Sequence, residues 1–444
     1  MQTAEAVAVD LVVEAAWVVP VHPHGAVLVD HAVAVRGDAI VDLLPIAAAR
    51  ARYAPRERVV LDQHALLPGF VNAHTHNPMT LMRGLADDLP LMEWLQGHIW
   101  PAEARAMGPE FVRDGIELAV AEMVRGGTTA CSENYFFPDV CAATYRRLGF
   151  RALVGLPVIE FPSAWASSRD EYFDKATAVH DDFRRDPLVS TCFAPHAPYT
   201  VSDASFARIR VLSDQLDVPV HLHLHETAQE CEDSRREHGV RPIQRMQGLG
   251  LLNGSLIAVH MTQLTDAEIE SCARAGVNVV HCPESNLKLA SGFCPVAKLQ
   301  AAGVNVGLGT DGCASNNDLD MVGEMRTAAL LAKGVAGDPR ALDAASALHM
   351  ATLGSARAMG LGERIGSIEP GKQADLVAIR LDDVESMPFY HLASQLVYAG
   401  NRRQVSDVWI AGRRKLDAGS LVDVDLDSLR TRAQRWQRFL AGNA

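Results

Sequence analysis

The sequence predicts a (β/α)8 TIM barrel together with a small β-sandwich domain formed from both ends of the chain. Three features favour this α/β fold class. Short apolar runs alternate with longer amphipathic stretches through the middle of the chain, several of these runs end in His, Glu or Asp, and both ends are rich in β-forming residues separated by Pro and Gly turns. A length of 444 residues accommodates a barrel of about 250 residues and an additional domain.

Eight apolar runs are expected to form the barrel, because alternating β and α segments indicate a parallel sheet and eight such strands close a TIM barrel. The runs are Leu67–Ala73, Thr128–Ser132, Ala152–Val158, Val189–Ala194, Val218–Leu224, Leu256–Val259, Val277–Val280 and Val304–Leu308. We therefore predict a barrel over residues 67–364. Residues 1–66 and 365–444 are expected to form the two parts of the β-sandwich domain, with a helix at the end of the second part.

The composition argues against several classes of protein. With 48% hydrophobic and 21% charged residues, the chain is typical of a folded globular protein. A net charge of -13 without a Lys/Arg cluster argues against nucleic acid as a partner. The apolar stretches are shorter than the roughly 20 residues of a membrane helix, and the opening residues lack the basic segment of a secretory signal. We expect a cytoplasmic protein that forms a homo-oligomer and acts on a small molecule.

Histidines and an aspartate at the ends of three runs form a candidate metal site. His74 and His76 follow the first run, and residues two apart on a strand share a face. Asp311 follows the eighth run. The fifth run carries three alternating histidines, and periodicity does not choose among them: His221, His223 and His225. Because strands of a TIM barrel end at one mouth, these side chains should converge on a divalent ion. Buried core histidines and a helix-capping Asp are the alternative.

Five longer motifs are spread over nearly the whole chain. They are Pro68–His76, His221–Thr227, His281–Leu289, Gly309–Gly312 and Gly366–Leu376. This set resembles the amidohydrolase superfamily, and within it the branch of methylthioadenosine/S-adenosylhomocysteine deaminases and chlorohydrolase-like enzymes. The resemblance implies a hydrolase that converts the adenine ring of 5′-methylthioadenosine, S-adenosylhomocysteine or both to hypoxanthine, with release of ammonia.

Two other interpretations remain open. Barrel loops decide the substrate more than the core does, so guanine deamination, 8-oxoguanine deamination and triazine hydrolysis are alternatives within the same branch. A non-enzymatic relative of the family is the second alternative. Such a protein is expected to lack the catalytic carboxylates, whereas Glu226 and Asp311 are both present.

The resemblance also implies a metal centre with one divalent ion per subunit, Zn²⁺ in first place and Fe²⁺ as the alternative. Its implied ligands are His74, His76, His223 and Asp311. His223 is chosen because the family pattern places a ligand His three residues before a catalytic Glu followed by Thr. Binuclear relatives carry a carboxylated Lys at the end of strand four, where this chain has His196, and a single ion is therefore expected.

The same resemblance assigns roles to further residues. Asp311 is expected to accept a proton from the attacking water, Glu226 to protonate the ring nitrogen and pass a proton to ammonia, and His260 to orient the water. The apolar segment Asn77–Glu103 should cover the barrel mouth, with Glu103 binding the ribose diol. The residues expected to contact substrate are Glu103, His196, Glu226, Asp311 and Arg169.

Arg169 and His281 can each be interpreted in two ways. Arg169 either meets the carboxylate of S-adenosylhomocysteine or is an exposed arginine on a helix. His281 either supports the site or caps the turn before Pro283.

Overall fold

The computed structural model describes residues 6–442, which form two eight-stranded sheets and the helices around them. The strands are β1 (Val7–Val18), β2 (Leu28–Arg36), β3 (Ala39–Pro45), β4 (Tyr53–Pro68), β5 (Phe70–Thr75), β6 (Thr128–Glu133), β7 (Arg151–Val158), β8 (Val189–Pro195), β9 (Val220–Leu224), β10 (Leu256–His260), β11 (Asn278–His281), β12 (Asn305–Leu308), β13 (Leu376–Arg380), β14 (Val405–Ile410), β15 (Arg413–Asp417) and β16 (Ser420–Leu421).

Most of the α-helices follow the barrel strands and surround them. The helices are α1 (Ile46–Arg52), α2 (Leu91–Trp94), α3 (Trp100–Ala106), α4 (Pro109–Arg125), α5 (Pro138–Leu148), α6 (Arg169–Phe183), α7 (Asp203–Leu216), α8 (Ala228–His238), α9 (Pro242–Gly248), α10 (Asp266–Ala275), α11 (Pro283–Lys288), α12 (Val296–Ala301), α13 (Met321–Ala336), α14 (Ala344–His349), α15 (Ser355–Ala358), α16 (Leu392–Ser394) and α17 (Leu426–Leu440). Short 3₁₀ or π-helical turns span Asn77–Met82, Leu95–Ile99, Met350–Gly354, Val384–Ser386, Gln395–Ala399 and Arg402–Gln404.

Strands β5 to β12 form one parallel sheet in which the strands follow each other in chain order. Each of the eight predicted runs supplies one of these strands, and the predicted barrel is confirmed. The largest difference in bounds is at the first run. Leu67 and Pro68 belong to β4, because they pair with Val377 and Leu376 of β13 instead of entering the barrel.

The barrel closes between β12 and β5 through the residues that follow β12. The backbone N–H of Asp311 donates to the carbonyl of His74 at 3.0 Å. The side chain of Asn72 is paired with Thr310, accepting from its N–H at 3.0 Å and donating to its hydroxyl at 2.8 Å. A Cβ at Gly309 would lie 2.7 Å from the backbone nitrogen of His74, so this close approach requires glycine.

The second sheet joins the two chain ends in the order β3-β2-β1-β4-β13-β14-β15-β16. The pair β1–β4 is parallel and the other pairs are antiparallel. Strand β1 is central and buried on both faces: Leu11 and Val13 pack in one apolar cluster with Trp409, while Val12 packs in another with Ala49 of α1. The chain ends therefore form one β domain, as predicted, and α17 is the expected terminal helix.

A buried ion pair connects this β domain to the barrel. Arg151, the first residue of β7, donates to both carboxylate oxygens of Asp375 at 2.7 and 2.9 Å. Both side chains are about 2% exposed or less. The N–H of Ala411 also donates to Asp375, at 2.7 Å. This arrangement satisfies the carboxylate fully, which is the condition under which a buried ion pair can be maintained.

The state of the cysteines and the character of the helices relate to the classes of protein considered from composition. All eight cysteines are buried free thiols. Among residues 6–442, no helix combines the length and the apolar character needed to cross a membrane.

We predict that Asp375→Ala lowers the free energy of unfolding by about 3–5 kcal/mol, because it leaves the buried Arg151 guanidinium without its partner. Urea unfolding followed by circular dichroism measures the change. Glu270→Ala is the matched control. It removes the exposed i,i+4 pair between Glu270 and Arg274, which should contribute about 0–1 kcal/mol. Equal effects of the two substitutions would contradict the structural role assigned to Asp375.

Candidate metal centre and active site

A cavity of about 700 Å³ opens where the barrel strands end. This is the end at which TIM barrels place their active sites, because the βα loops surround it. The cavity is lined by most of the side chains predicted from the sequence, namely His76, Glu103, His196, His223, Glu226, His260 and Asp311. His74 is fully buried and contacts this group through Asp311. The structure thus brings the predicted metal ligands and catalytic residues together.

Three atom pairs among the four predicted ligands have the spacing that a small divalent ion requires. His74, His76 and Asp311 form one group whose ligand atoms lie within 4.8 Å of one another, and His74 and His223 form a second such group with His260. The Nε2 atoms of His74 and His76 each lie 3.3 Å from Oδ1 of Asp311. The Nε2 atoms of His76 and His223 are also 3.3 Å apart. Ligands at 2.0–2.1 Å from a tetrahedral Zn²⁺ ion are separated by about 3.3 Å. In addition, Nε2 of His74 is buried without a hydrogen-bond partner among the described residues, as expected of a ligand atom.

The rings are oriented by hydrogen bonds at their other nitrogen. Nδ1 of His76 donates to the carbonyl of Asn134 at 2.5 Å, and Nδ1 of His223 donates to the carbonyl of His196 at 2.6 Å. With the proton on Nδ1, the lone pair of Nε2 is directed at the cluster. Such outer partners fix both the tautomer and the ring orientation of metal-binding histidines.

The structure separates the three histidines around β9, which periodicity could not do. His223 points to the cluster. His221 lies behind it, with Nε2 at 2.9 Å from Nδ1 of His74 and Nδ1 at 3.2 Å from Oγ of Ser132. His225 turns away, and its Nε2 accepts from the N–H of Ile243 at 3.0 Å. His221 is therefore a support for a ligand, a role that sequence reasoning did not assign.

Glu226 stands at a turn that is held by the residues after it. The carboxylate of Glu230 accepts from the N–H groups of His225 and Glu226 at 2.9 and 2.7 Å. The Thr227 hydroxyl caps α8 by accepting from the N–H of Glu230 at 3.1 Å. Burial raises the pKa of Glu226 above its usual value, so the side chain can carry a proton nearer to neutral pH.

Two adjacent residues at the start of α11 hold two of the predicted catalytic side chains. The hydroxyl of Ser285 donates to Oδ2 of Asp311 at 2.7 Å. Oδ1 of Asn286 lies 2.9 Å from Nδ1 of His260, whose Nε2 is 3.9 Å from Oε2 of Glu226. Sequence reasoning included Ser285 and Asn286 in a motif without giving them a role.

His281 is connected to the site through its backbone. Its carbonyl accepts from the N–H of Gly309, at 3.0 Å, just before Asp311. Its ring is buried, and Nδ1 has no hydrogen-bond partner within residues 6–442. The residue at the N-cap of α11 is Cys282, without a side-chain capping bond. The structure therefore gives no capping bond to the His281 side chain.

Glu103 lies on α3 in the segment that covers the cavity, where Oε1 accepts from the hydroxyl of Tyr135 at 2.6 Å. Burial raises the pKa of Glu103 to about 7, against the opposing effect of that hydrogen bond. His196 lines the cavity as well, with Nδ1 at 3.2 Å from Oγ1 of Thr200. Burial lowers the pKa of His196 to about 4, which makes it a neutral imidazole.

The structure does not bring Arg169 to the cavity. It is the first residue of α6, its side chain is 47% exposed, and its nearest charged neighbour is Asp170 at 3.8 Å. This position corresponds to the alternative interpretation of Arg169, an exposed arginine on a helix.

Known proteins identify the family of the chain. A family model described as "Amidohydrolase family" matches residues 65–415, which is most of the sequence. The chain belongs to the amidohydrolase family. This amidohydrolase is 46% identical to a 5-methylthioadenosine/S-adenosylhomocysteine deaminase from Teredinibacter turnerae, over 97% of this chain and 98% of that protein. It is 45% identical, over 96% of each chain, to a protein of the same name from Saccharophagus degradans.

Solved structures agree with this family. An adenosine deaminase from Xanthomonas campestris, crystallised with bound zinc, has a TM-score of 0.98 and 62% identity, covering 99% of this chain and all of that one. An atrazine chlorohydrolase from Arthrobacter aurescens, complexed with zinc, has a TM-score of 0.89 at 23% identity, covering 96% and 100% of the two chains. The second likeness concerns the fold alone.

We predict that His221→Phe weakens zinc binding about 10-fold to 100-fold, because the ring of His74 loses the group that orients it. Competition with a chromogenic chelator measures the affinity. His180→Phe is the control, since His180 is also buried and bonded to a hydroxyl, that of Thr191 at 2.8 Å, but lies outside the cluster. Unchanged zinc affinity in a folded His221→Phe protein would show that His221 has no supporting role.

Proposed function

We propose that this amidohydrolase deaminates the adenine ring of 5′-methylthioadenosine, S-adenosylhomocysteine or both, giving the hypoxanthine nucleoside and ammonia. The names of its relatives support a purine nucleoside as substrate. The observation that carries the proposal is a third carboxylate in the cavity, that of Glu103, beside those of Glu226 and Asp311. It is remote from the metal cluster in sequence, is bound by Tyr135, and is suited to accept hydrogen bonds from sugar hydroxyls.

The ion that we propose is a single Zn²⁺, with Fe²⁺ as the alternative, held by His74, His76, His223 and Asp311. When bound there, such an ion would lower the pKa of a water molecule toward neutrality and so make a nucleophile available. The chemistry of the donor set, three imidazoles and one carboxylate, fits a borderline cation of this type.

The protein side chains move the protons. Water adds to C6 of the adenine ring, and the bond from C6 to the exocyclic nitrogen breaks. Asp311 accepts one proton of the water, while Glu226 gives its proton to the ring nitrogen beside C6. Glu226 then takes the remaining proton from the C6 hydroxyl as the carbonyl forms and passes it to the amino group, which leaves as ammonia. The proton held by Asp311 finally returns to Glu226 through solvent. His260, with Nε2 at 3.9 Å from the Glu226 carboxyl, orients the attacking water. The raised pKa of Glu226 suits the donor role.

The rest of the cavity is suited to a purine and a thioether. Its walls are largely apolar, and they include Leu91, Trp94, Trp100, Met107, Phe136 and Ile159. Each methylene of a ligand that is buried against such a surface contributes about 0.8 kcal/mol to the free energy of binding. A guanine, 8-oxoguanine or triazine substrate has no ribose for Glu103 to bind, and the position of Glu103 therefore favours the nucleoside.

We predict that Glu226→Gln lowers kcat about 100-fold to 10 000-fold, because the amide cannot deliver a proton. Ammonia release measures turnover, and elemental analysis should give one equivalent of metal in both the variant and the unsubstituted enzyme. Glu232→Gln, at an exposed position of α8, is the control. Normal turnover of Glu226→Gln would remove Glu226 from the mechanism, and two metal equivalents would contradict a single ion.

We predict higher kcat/KM for 5′-methylthioadenosine and S-adenosylhomocysteine than for adenine, guanine or a triazine. A site built to bind hydroxyls discriminates against ligands that lack them. Glu103→Ala should lower kcat/KM for the nucleosides about 10-fold or more and leave the metal content unchanged. Glu93→Ala, at an exposed position of α2, is the control. Equal or better activity of the unsubstituted enzyme on a free base or a triazine would refute this substrate assignment.

A further inference from the structure

Tyr135 joins two parts of the molecule that carry different parts of the proposed site. It follows β6 in the barrel, whereas Glu103 belongs to α3 in the segment over the cavity. Its hydroxyl donates to Oε1 of Glu103 at 2.6 Å. Both side chains are buried, and both line the cavity. The Tyr135 ring centroid is 6.5 Å from that of His76, so the tyrosine that binds Glu103 is also a neighbour of a predicted metal ligand.

The residue before Tyr135 is fixed relative to the metal cluster. The N–H of Asn134 donates to the carbonyl of Thr75 at 3.0 Å, and its own carbonyl accepts from Nδ1 of His76 at 2.5 Å. The backbone that carries Tyr135 is therefore tied to β5 at the point where the ligands begin. The barrel therefore sets the position of the Tyr135 hydroxyl. This hydroxyl donates a hydrogen bond to the carboxylate of Glu103, which belongs to α3 and not to a barrel strand.

The bond leaves the second oxygen of Glu103 available. Among the described residues, Oε1 accepts from Tyr135 and no hydrogen bond reaches Oε2. A vicinal diol offers two hydroxyl donors, and an ionised carboxylate can accept both of them. The Tyr135 hydroxyl also stabilises the ionised form of Glu103, since its bond opposes the effect of burial on the pKa of that carboxyl. A hydrogen bond to a charged group is among the stronger ones in proteins.

We propose that Tyr135 is a specificity-determining residue, which positions the Glu103 carboxylate so that the enzyme selects adenine nucleosides with an intact 2′,3′-diol over 2′-deoxynucleosides. This inference rests on the proposed deaminase function. It adds that the selection of the sugar depends on a barrel residue that need not touch the substrate itself.

The test compares adenosine with 2′-deoxyadenosine, which differ in one hydroxyl, in the full-length metal-loaded enzyme. Tyr135→Phe keeps the ring and removes the hydroxyl. The ratio of kcat/KM for the two nucleosides should fall about 10-fold or more, through a higher KM for adenosine, while the values for 2′-deoxyadenosine change little. Metal content and the thermal transition are measured on the same preparations.

Tyr145→Phe is the matched control. The Tyr145 hydroxyl donates to Oε2 of Glu133, also at 2.6 Å, and this second buried Tyr–Glu pair does not line the cavity. Its loss should leave the adenosine/2′-deoxyadenosine ratio unchanged. A ratio that falls equally in Tyr135→Phe and Tyr145→Phe would contradict the proposal, because a general loosening of the fold would then explain it.

A second variant keeps the proposal testable if Tyr135→Phe does not fold. In Glu103→Gln, the Tyr135 hydroxyl should still take the amide oxygen as its acceptor, which leaves the NH₂ group facing the diol. The preference for adenosine should then be lost as completely as in Glu103→Ala. A Glu103→Gln enzyme that keeps the preference would show that the side chain is free to turn and that Tyr135 does not position it.

The double variant separates this inference from the function on which it rests. Tyr135→Phe added to Glu103→Ala should cause no further change in the ratio, because the two residues act through one contact. If the unsubstituted enzyme deaminates neither of these nucleosides and neither 5′-methylthioadenosine nor S-adenosylhomocysteine, the proposed function is wrong. If it prefers adenosine and Tyr135→Phe keeps that preference in full, only the role of Tyr135 is wrong.

Discussion

The backbone N–H of Asp311 donates to the carbonyl of His74, and this bond, together with the contacts between Asn72 and Thr310, joins the last barrel strand to the first. The metal cluster is built across that joint, since the Asp311 carboxylate lies 3.3 Å from Nε2 of both His74 and His76. Gly309 permits the approach, because a side chain there would collide with His74. Closure of the barrel therefore brings the predicted ligands together, and an ion bound by them would stabilise the closed form.

The orientation of each ligand depends on a different strand. His76 is held by the carbonyl of Asn134 after β6, His223 by the carbonyl of His196 after β8, and His74 by the ring of His221 on β9. A shift of one residue in any of these strands would turn its side chains to the opposite face. The geometry of the cluster is thus a direct consequence of strand register around the barrel, whereas Asp311 and His260 are held by Ser285 and Asn286 of α11.

The sequence was sufficient for the barrel, because β and α periodicity locates the strands and the strand ends carry the chemistry. It could not separate His221 from His223 by periodicity, since residues two apart on a strand are equivalent in any such pattern. It could not assign a role to Tyr135, whose contact with Glu103 joins the loop after β6 to helix α3 and leaves no local signal. For Arg169 the sequence suggested a role that the structure does not support. Its positive charge could pair with a substrate carboxylate, but its position at the start of α6 leaves the side chain exposed and away from the cavity.

The pairing of β4 with β13 has a consequence for how the protein is made. Leu67 is hydrogen-bonded opposite Val377, roughly 300 residues later in the chain. During synthesis, the edge of β4 stays open until the whole barrel has left the ribosome, and open strand edges are the places where chains associate wrongly. The partner strand β13 leaves the ribosome only after all eight barrel strands, so the nascent chain carries an unprotected edge for most of its translation.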